Sequence, residues 1–270
     1  MSANRFVGKV AFITGAARGQ GRAEAVRLAA EGADIIAIDA CADFASTAYD
    51  GATEADLAET VALVEGLGRK IVATKADVRN FAAVSEALAN GIAALGRLDV
   101  VIANAGICSG AMSWKITPNQ WQETLDVNLT GVFYTVKAAI PHLIEQGEGG
   151  SIVITSSVAG LRGLPFLGHY VASKHGVTGL AKTLAVELGS HNIRVNTVHP
   201  NGVESGMQVN DMHALVQEYR DTLAPIFMGS LPDQISQPED IANAVAWLAS
   251  DEARHVTGIQ LPVDLGTLIR

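Results

Sequence analysis

Seven short apolar runs punctuate the chain, at Val10 to Ile13, Asp34 to Ile38, Ile71 to Thr74, Val100 to Asn104, Ile152 to Thr155, Val195 to Val198 and Ile259 to Val263. Each has the length of a strand and is apolar at successive positions, the pattern of a strand covered on both faces. Between them the apolar residues recur at helical spacing, over Leu57 to Leu67, Val84 to Leu95, Trp121 to Ile144, His169 to Leu188 and Pro238 to Ala249. Strand and helix in alternation predict an α/β fold, a doubly wound parallel sheet of seven strands with helices on both faces. The expected strand order is 3-2-1-4-5-6-7, with ligands at the carboxyl ends of the strands. No repeat, low-complexity tract or composition break divides residues 1–270, so one domain is expected.

The first strand runs into Gly15-Ala16-Ala17-Arg18-Gly19-Gln20-Gly21 and then into a helical stretch, Arg22 to Ala30. Glycines there let the backbone turn tightly and approach a pyrophosphate held by the free amides of a helix start. The spacing is G-x-x-x-G-x-G, and by itself an ordinary strand-to-helix turn explains it equally well. Asp39 changes the balance, because it closes the next apolar run about 20 residues on, where a carboxylate accepts from the adenosine ribose hydroxyls and repels a 2′-phosphate. NAD is therefore favoured over NADP. Arg18 is the one contrary residue, outweighed by repulsion from Asp39 at close range.

Tyr170 and Lys174 are four apart and Ser157 precedes the tyrosine by thirteen. On a helix, residues at this spacing share a face, so an ammonium can sit beneath a phenol. A nearby cation favours the phenolate and should lower the tyrosine pKa toward the working range, allowing proton exchange with a substrate alcohol. A serine hydroxyl could hold the same oxygen while charge develops on it.

With these come Asp77-Val78, Asn104-Ala105-Gly106, Asn128 within Val127-Asn128-Leu129-Thr130-Gly131, and His199-Pro200. Over essentially its whole length the chain resembles the short-chain dehydrogenase/reductase family, which implies a Rossmann-type fold and a catalytic tetrad of Asn128, Ser157, Tyr170 and Lys174. In that likeness Asn128 bends a helix and positions a water beside Lys174. The implied cofactor-binding residues are Gly15, Ala17, Arg18, Gly19, Gln20, Gly21, Asp39, Ala40, Asp77, Val78, Asn104, Ala105 and Gly106. Tyr170, Lys174, Pro200, Val203 and Ser205 complete the set at the nicotinamide end. The chain departs from the family's usual Pro-Gly by reading Pro200-Asn201-Gly202.

The Gly19-Gln20-Gly21-Arg22 loop and the long connection Ala40 to Thr53 look like the mycofactocin-associated branch, which includes carveol-type dehydrogenases. That likeness implies an insertion over the NAD that hinders its exchange, with electrons leaving through a separate redox carrier. The wider family resemblance implies a homotetramer built through Trp121 to Ile144 and His169 to Leu188. A solvated surface loop remains the alternative for the insertion.

Two cysteines, Cys41 and Cys108, cannot make a disulfide framework, and a cytoplasmic, reduced setting is expected. Neither a signal peptide nor a membrane-spanning run is visible in the sequence. The seven histidines do not pair at metal-ligand spacing, so no metal is expected, and a formal charge of -9 argues against nucleic acid. The family resemblance implies a substrate lid at Gly206 to Gln234. Met207, Met212, Leu215, Leu223, Phe227 and Met228 make it apolar, with Trp114, Leu164, Pro165 and Phe166 as opposite walls. Arg162 and Arg220 are the only arginines near the expected pocket, which favours a neutral cyclic or terpenoid secondary alcohol or its ketone. A steroid or 3-oxoacyl ketone reductase, and a non-catalytic NAD-binding sensor, remain alternatives.

Overall fold

The computed structural model describes residues 4–207, 210–233 and 235–270. Gln208, Val209 and Gln234 of the expected lid lie outside them. The strands are β1 (Val10–Thr14), β2 (Asp34–Asp39), β3 (Ile71–Lys75), β4 (Val100–Ala103), β5 (Gly150–Thr155), β6 (Ile193–Pro200) and β7 (Gln260–Val263). They form one seven-stranded sheet, every pairing parallel, in the order β3-β2-β1-β4-β5-β6-β7. The reversal of order between β1 and β4 opens a crevice at their carboxyl ends, the usual ligand site of such sheets.

Two apolar layers sandwich the sheet. On one face Leu28 of α1 (Gly19–Ala30) and Ile241 and Val245 of α8 (Pro238–Ala249) pack on Ile13, Ile35 and Val153. On the other, Leu88 of α3 (Phe81–Leu95), Val136 of α5 (Gly131–Gln146) and Val177 of α6 (Gly168–Glu187) pack on Phe12, Val101 and Ile152. Burial from both sides is why the strands read as continuous apolar runs.

Local chemistry fixes several element ends. Thr53 and Asp56 form a capping box at the start of α2 (Glu54–Gly66), and Thr117 and Gln120 form one before α4 (Pro118–Leu125), with Pro118 at its first position. Asn104, expected in the fourth strand, lies beyond it. Its backbone N–H donates to the Thr14 hydroxyl oxygen at 3.1 Å and its side-chain nitrogen donates to Thr14 O at 3.1 Å, tying the chain back to β1 and ending the ladder.

The expected helix Trp121 to Ile144 is two helices. A π-turn at Asp126–Thr130, in which Gly131 N reaches Asp126 O, joins α4 to α5. Such a turn carries one residue more than an α-turn and is often found at functional sites. It holds Val127 and Asn128 buried. Among the described residues of the lid after β6 are a short α-helix, α7 (Asn210–Glu218), and a 3-10 turn, Ala224–Phe227.

Candidate active site

The glycine turn is built around close approaches. Gly15 has φ 68°, and a Cβ there would fall 2.9 Å from Ala105 Cα. At Gly21 a Cβ would fall 2.1 Å from Gly15 O, so the turn and the start of α1 pack without room for a side chain. Arg18 is the extended residue before α1 and its side chain makes no cap, which leaves the first amides of the helix for an anion. Asp39, at the end of β2, accepts from Ala17 N and from Cys41 N, each at 3.0 Å. Two backbone donors thus fix its carboxylate, and the remaining lone pairs are available to ribose hydroxyls.

A cavity at these strand ends is lined by Gly15, Arg18, Gly19, Gln20, Asp39, Ala40, Asp77, Val78, Asn104, Ala105, Gly106 and Ser205. A second cavity continues from it, lined by Ser157, Tyr170, Lys174, Pro200, Val203 and again Gln20, Asn104 and Ser205. Gln20 Oε1 and Thr155 Oγ1, both on these walls, are buried without a partner. Unpartnered acceptors, a glycine cradle and uncapped helix amides together fit a dinucleotide. Ala17 and Gly21 do not reach either cavity. Ala17 packs with Cys41 and Leu57 while its amide holds Asp39, and Gly21 only allows the turn to close.

Tyr170 and Lys174 share a face of α6, and the ammonium lies 5.5 Å from the phenol ring centroid. Lys174 Nζ donates to Thr155 O at 2.8 Å, and burial pulls its pKa down to about 8. The lowering expected for Tyr170 is not found. Burial pushes its phenol above the ordinary value, and a hydrogen bond with the Ser157 side chain acts in the opposite direction without prevailing. Desolvation of the half-buried phenol dominates, and the ammonium, which sits against the ring and is itself spent on a carbonyl, does not offset it.

Ser157 is placed from below. His199 Nδ1 bonds Ser157 O at 2.6 Å and its Nε2 meets Thr197 Oγ1 at 2.7 Å. Burial lowers the His199 pKa to about 4, so the ring is a neutral strut at physiological pH. Asn128 lines neither cavity. Its Oδ1 accepts from Ile107 N and its Nδ2 donates to Ile107 O, both at 2.8 Å, with Ser173 Oγ at 3.3 Å.

Asn128 is one of several groups that grip the loop after β4. Cys108 N donates to the Tyr49 phenol oxygen at 3.1 Å, Ser109 Oγ meets His169 Nε2 at 2.9 Å, and Gly110 N donates to Asp211 Oδ2 at 2.9 Å. Ala111 N then donates to Phe166 O at 2.9 Å. Five consecutive residues are therefore held by the π-turn, the 40–53 insertion, α6, α7 and the segment before α6.

The insertion closes the dinucleotide cavity on its outer side with Phe44, Tyr49, Gly51 and Ala52. Arg18 Nη2 donates to Asp50 O at 2.5 Å, Ser46 N donates to Glu123 Oε2 at 2.7 Å, and the Arg79 guanidinium stacks 4.9 Å from the Phe44 centroid. The Arg18 guanidinium also lies against Gly206 at the start of the lid, where a Cβ would come within 2.6 Å of it.

Residues 9–215 match the short chain dehydrogenase family. The chain belongs to that family. The dehydrogenase is 43% identical over 276 residues to (-)-trans-carveol dehydrogenase of Rhodococcus erythropolis, covering 98% of this chain and 99% of the relative. Among solved structures it superposes on carveol dehydrogenase of Mycobacterium avium in complex with NAD, with a TM-score of 0.94 and 52% identity over 98% of this chain and 99% of that one. A short chain dehydrogenase of Mycobacterium paratuberculosis bound to NAD gives a TM-score of 0.95 at 49% identity, covering 98% and 100%.

Around Tyr170 the dehydrogenase carries an apolar wall of Cys108, Val158, Leu164, Leu167, Met207, Met212, Ile226, Phe227 and Leu268. The sequence pointed to Leu164, Met207, Met212 and Phe227 among these. Trp114, expected as a wall, is 78% exposed and Met228 43%, because both stand on the outer side of their loops. Phe166 is buried against Tyr219 and Phe227, supporting the wall from behind. Arg162 turns away to donate to Thr267 O at 2.7 Å, and Arg220 is exposed beside Asp221. Asn201, the departure from Pro-Gly, donates to Thr267 Oγ1 at 2.8 Å and to Phe227 O at 3.3 Å, joining the 264–268 turn to the lid. Tyr49, Ile107, Asn201 and Leu268 were missed as site residues. Tyr49 carried a signal, as one of two aromatic residues in an insertion of small and polar ones. Among the described residues no helix is long and apolar enough to cross a membrane, and no cluster of three or more His, Cys, Asp or Glu could hold a metal ion.

Proposed function

We propose that this NAD-dependent short-chain dehydrogenase interconverts a neutral secondary alcohol, cyclic or terpenoid and carveol-like, with its ketone. The observation that carries the reading is the apolar wall around Tyr170, with both nearby arginines engaged elsewhere. Glu204 on the same cavity is a further argument against an anionic substrate.

Bound NAD supplies the hydride acceptor for the alcohol, and its reduced form the donor for the ketone. Tyr170 exchanges the hydroxyl proton, and its raised pKa keeps it protonated and ready to donate in the reductive direction. Ser157, on the same cavity wall as Tyr170, holds the same substrate oxygen. Lys174, with a pKa of about 8, is largely cationic at neutral pH and supports the phenolate that takes the proton in oxidation and is left behind in reduction. Asn128 positions the loop on which the substrate end of the site is built. Asp39 favours NAD over NADP.

The contacts of the insertion support a cover over the adenosine half of the cofactor, with slow exchange and a separate redox carrier of the mycofactocin kind as electron acceptor. A homotetramer through α4, α5 and α6, in the cytoplasm, completes the reading. Two measurements test it. Turnover of carveol with a reoxidising dye should exceed turnover with added NAD as sole acceptor. Replacing residues 41–51 by a short Gly-Ser turn should speed NADH release in stopped flow, and equally fast release from both proteins would reduce the insertion to a surface loop.

A further inference from the structure

The phenol of Tyr49 has accepted one hydrogen bond and has one left to give. Its oxygen takes the Cys108 amide hydrogen at 3.1 Å, and among the described residues no acceptor is within hydrogen-bond reach of its O–H. Hydroxyls in enclosed positions ordinarily find an acceptor, and leaving a donor unspent is costly. The ring forms part of the dinucleotide cavity wall together with Ile107 and Met207. Arg18 and Asp211 both act electrostatically on it, and it acts in turn on Tyr170, which places the phenol at the seam between the glycine turn, the lid and the reaction centre. No hydrogen bond joins the phenol to the neighbouring Asp211 carboxylate, whose two oxygens take Gly110 N and Met212 N, each at 2.9 Å. Burial raises the Tyr49 pKa, so the phenol keeps its proton as a donor at all working pH values.

We infer that Tyr49 is a cofactor-contacting residue, donating its O–H to a phosphate or ribose oxygen of the nicotinamide mononucleotide half of the bound dinucleotide. The inference rests on the assignment of this cavity to NAD. The insertion then does more than cover the cofactor, because it supplies a directional contact to the half of the molecule nearest the chemistry. Gly51 helps to hold Tyr49 there. A Cβ at Gly51 would fall 1.9 Å from Ala42 O, and Gly51 N donates to Asp43 Oδ1 at 2.8 Å, so the insertion folds back on itself on either side of the tyrosine.

Equilibrium titration of NADH and of AMP into the purified protein tests this. Stopped-flow release of the reduced cofactor is the second readout where nucleotide co-purifies. Tyr49→Phe keeps the ring and removes the donor. It should weaken NADH, or speed its release, by at least about fivefold while changing AMP by less than about twofold, since AMP lacks the half contacted. Phe44→Leu, on the same wall without a donor, should affect NADH and AMP alike. NADH binding unchanged in Tyr49→Phe, or AMP weakened as much as NADH, overturns the contact and leaves the ring as packing only. If the wild-type protein fails to bind NADH, the cofactor assignment falls first and the Tyr49 contact with it.

Discussion

Asn128→Ala should cost far more stability than the loss of one polar side chain suggests. Asn128 is fully buried and Ile107 is 4% exposed, and their two mutual hydrogen bonds are both 2.8 Å. Alanine leaves the Ile107 amide and carbonyl without partners in a place water does not reach. Each orphaned group costs about 1–3 kcal/mol, so the pair is worth roughly 4 kcal/mol. With an unfolding entropy of roughly 0.6 kcal/mol/K for a chain of this length, the midpoint should fall by about 7 °C. Calorimetry at one fixed protein concentration reads this, the concentration being held because assembly shifts the midpoint. The same variant should raise KM for the alcohol, since Ile107 anchors the loop that Tyr49, His169 and Asp211 also grip. A fall of less than about 2 °C would refute the reasoning, showing that the loop holds its place without Asn128.

Tyr170→Phe should lower kcat by at least about 100-fold with NADH binding intact, and retention of a tenth of the wild-type rate would remove Tyr170 as the proton-transfer group. Asp39→Ala combined with Ala40→Arg should move cofactor preference toward NADP in parallel titrations, and unchanged selectivity would shift the discrimination to Arg18. Lys174 has a folded pKa of about 8 against an ordinary 10.5. The unfolded chain therefore binds more protons between these values, and stability contributed by Lys174 rises with pH through that window. Denaturant midpoints of wild type relative to Lys174→Met should climb from pH 8 toward 10, and a flat or falling difference would contradict the burial of a titrating ammonium.

The sheet was legible because its strands are covered on both faces and so read as apolar runs, and the glycine turn because side chains there would collide with Gly15 O or Ala105. What short-range pattern could not show was the meeting of distant segments. Tyr49 finds its partner at Cys108, and Asp211 finds Gly110, across long stretches of chain whose intervening spacing carries no periodic trace. The effect of Lys174 on Tyr170 was misread for a related reason. Spacing places the ammonium on the phenol's face, but the degree of desolvation is a property of everything packed around the pair. Trp114 looked like pocket wall because it is large and apolar, although single exposed aromatics are ordinary on protein surfaces.

The π-turn at Asp126–Thr130 has an effect on the outside of the molecule as well. At about 100° per residue, the twelve steps from Trp121 to Phe133 along an unbroken α-helix would set the two rings about 120° apart. One extra residue absorbed in the turn reduces this to eleven helical steps, leaving them about 20° apart, and the eleven steps from Phe133 to Ile144 repeat that offset. Trp121, Phe133 and Ile144 are 42%, 42% and 37% exposed. The inserted residue therefore phases three outward apolar side chains of α4 and α5 into one seam, while turning Asn128 inward. Winding the turn as regular α-helix with every residue kept would put the seam out of phase and withdraw Asn128 from Ile107 together, so the outer surface and the loop beside the reaction centre are locked to a single helical register.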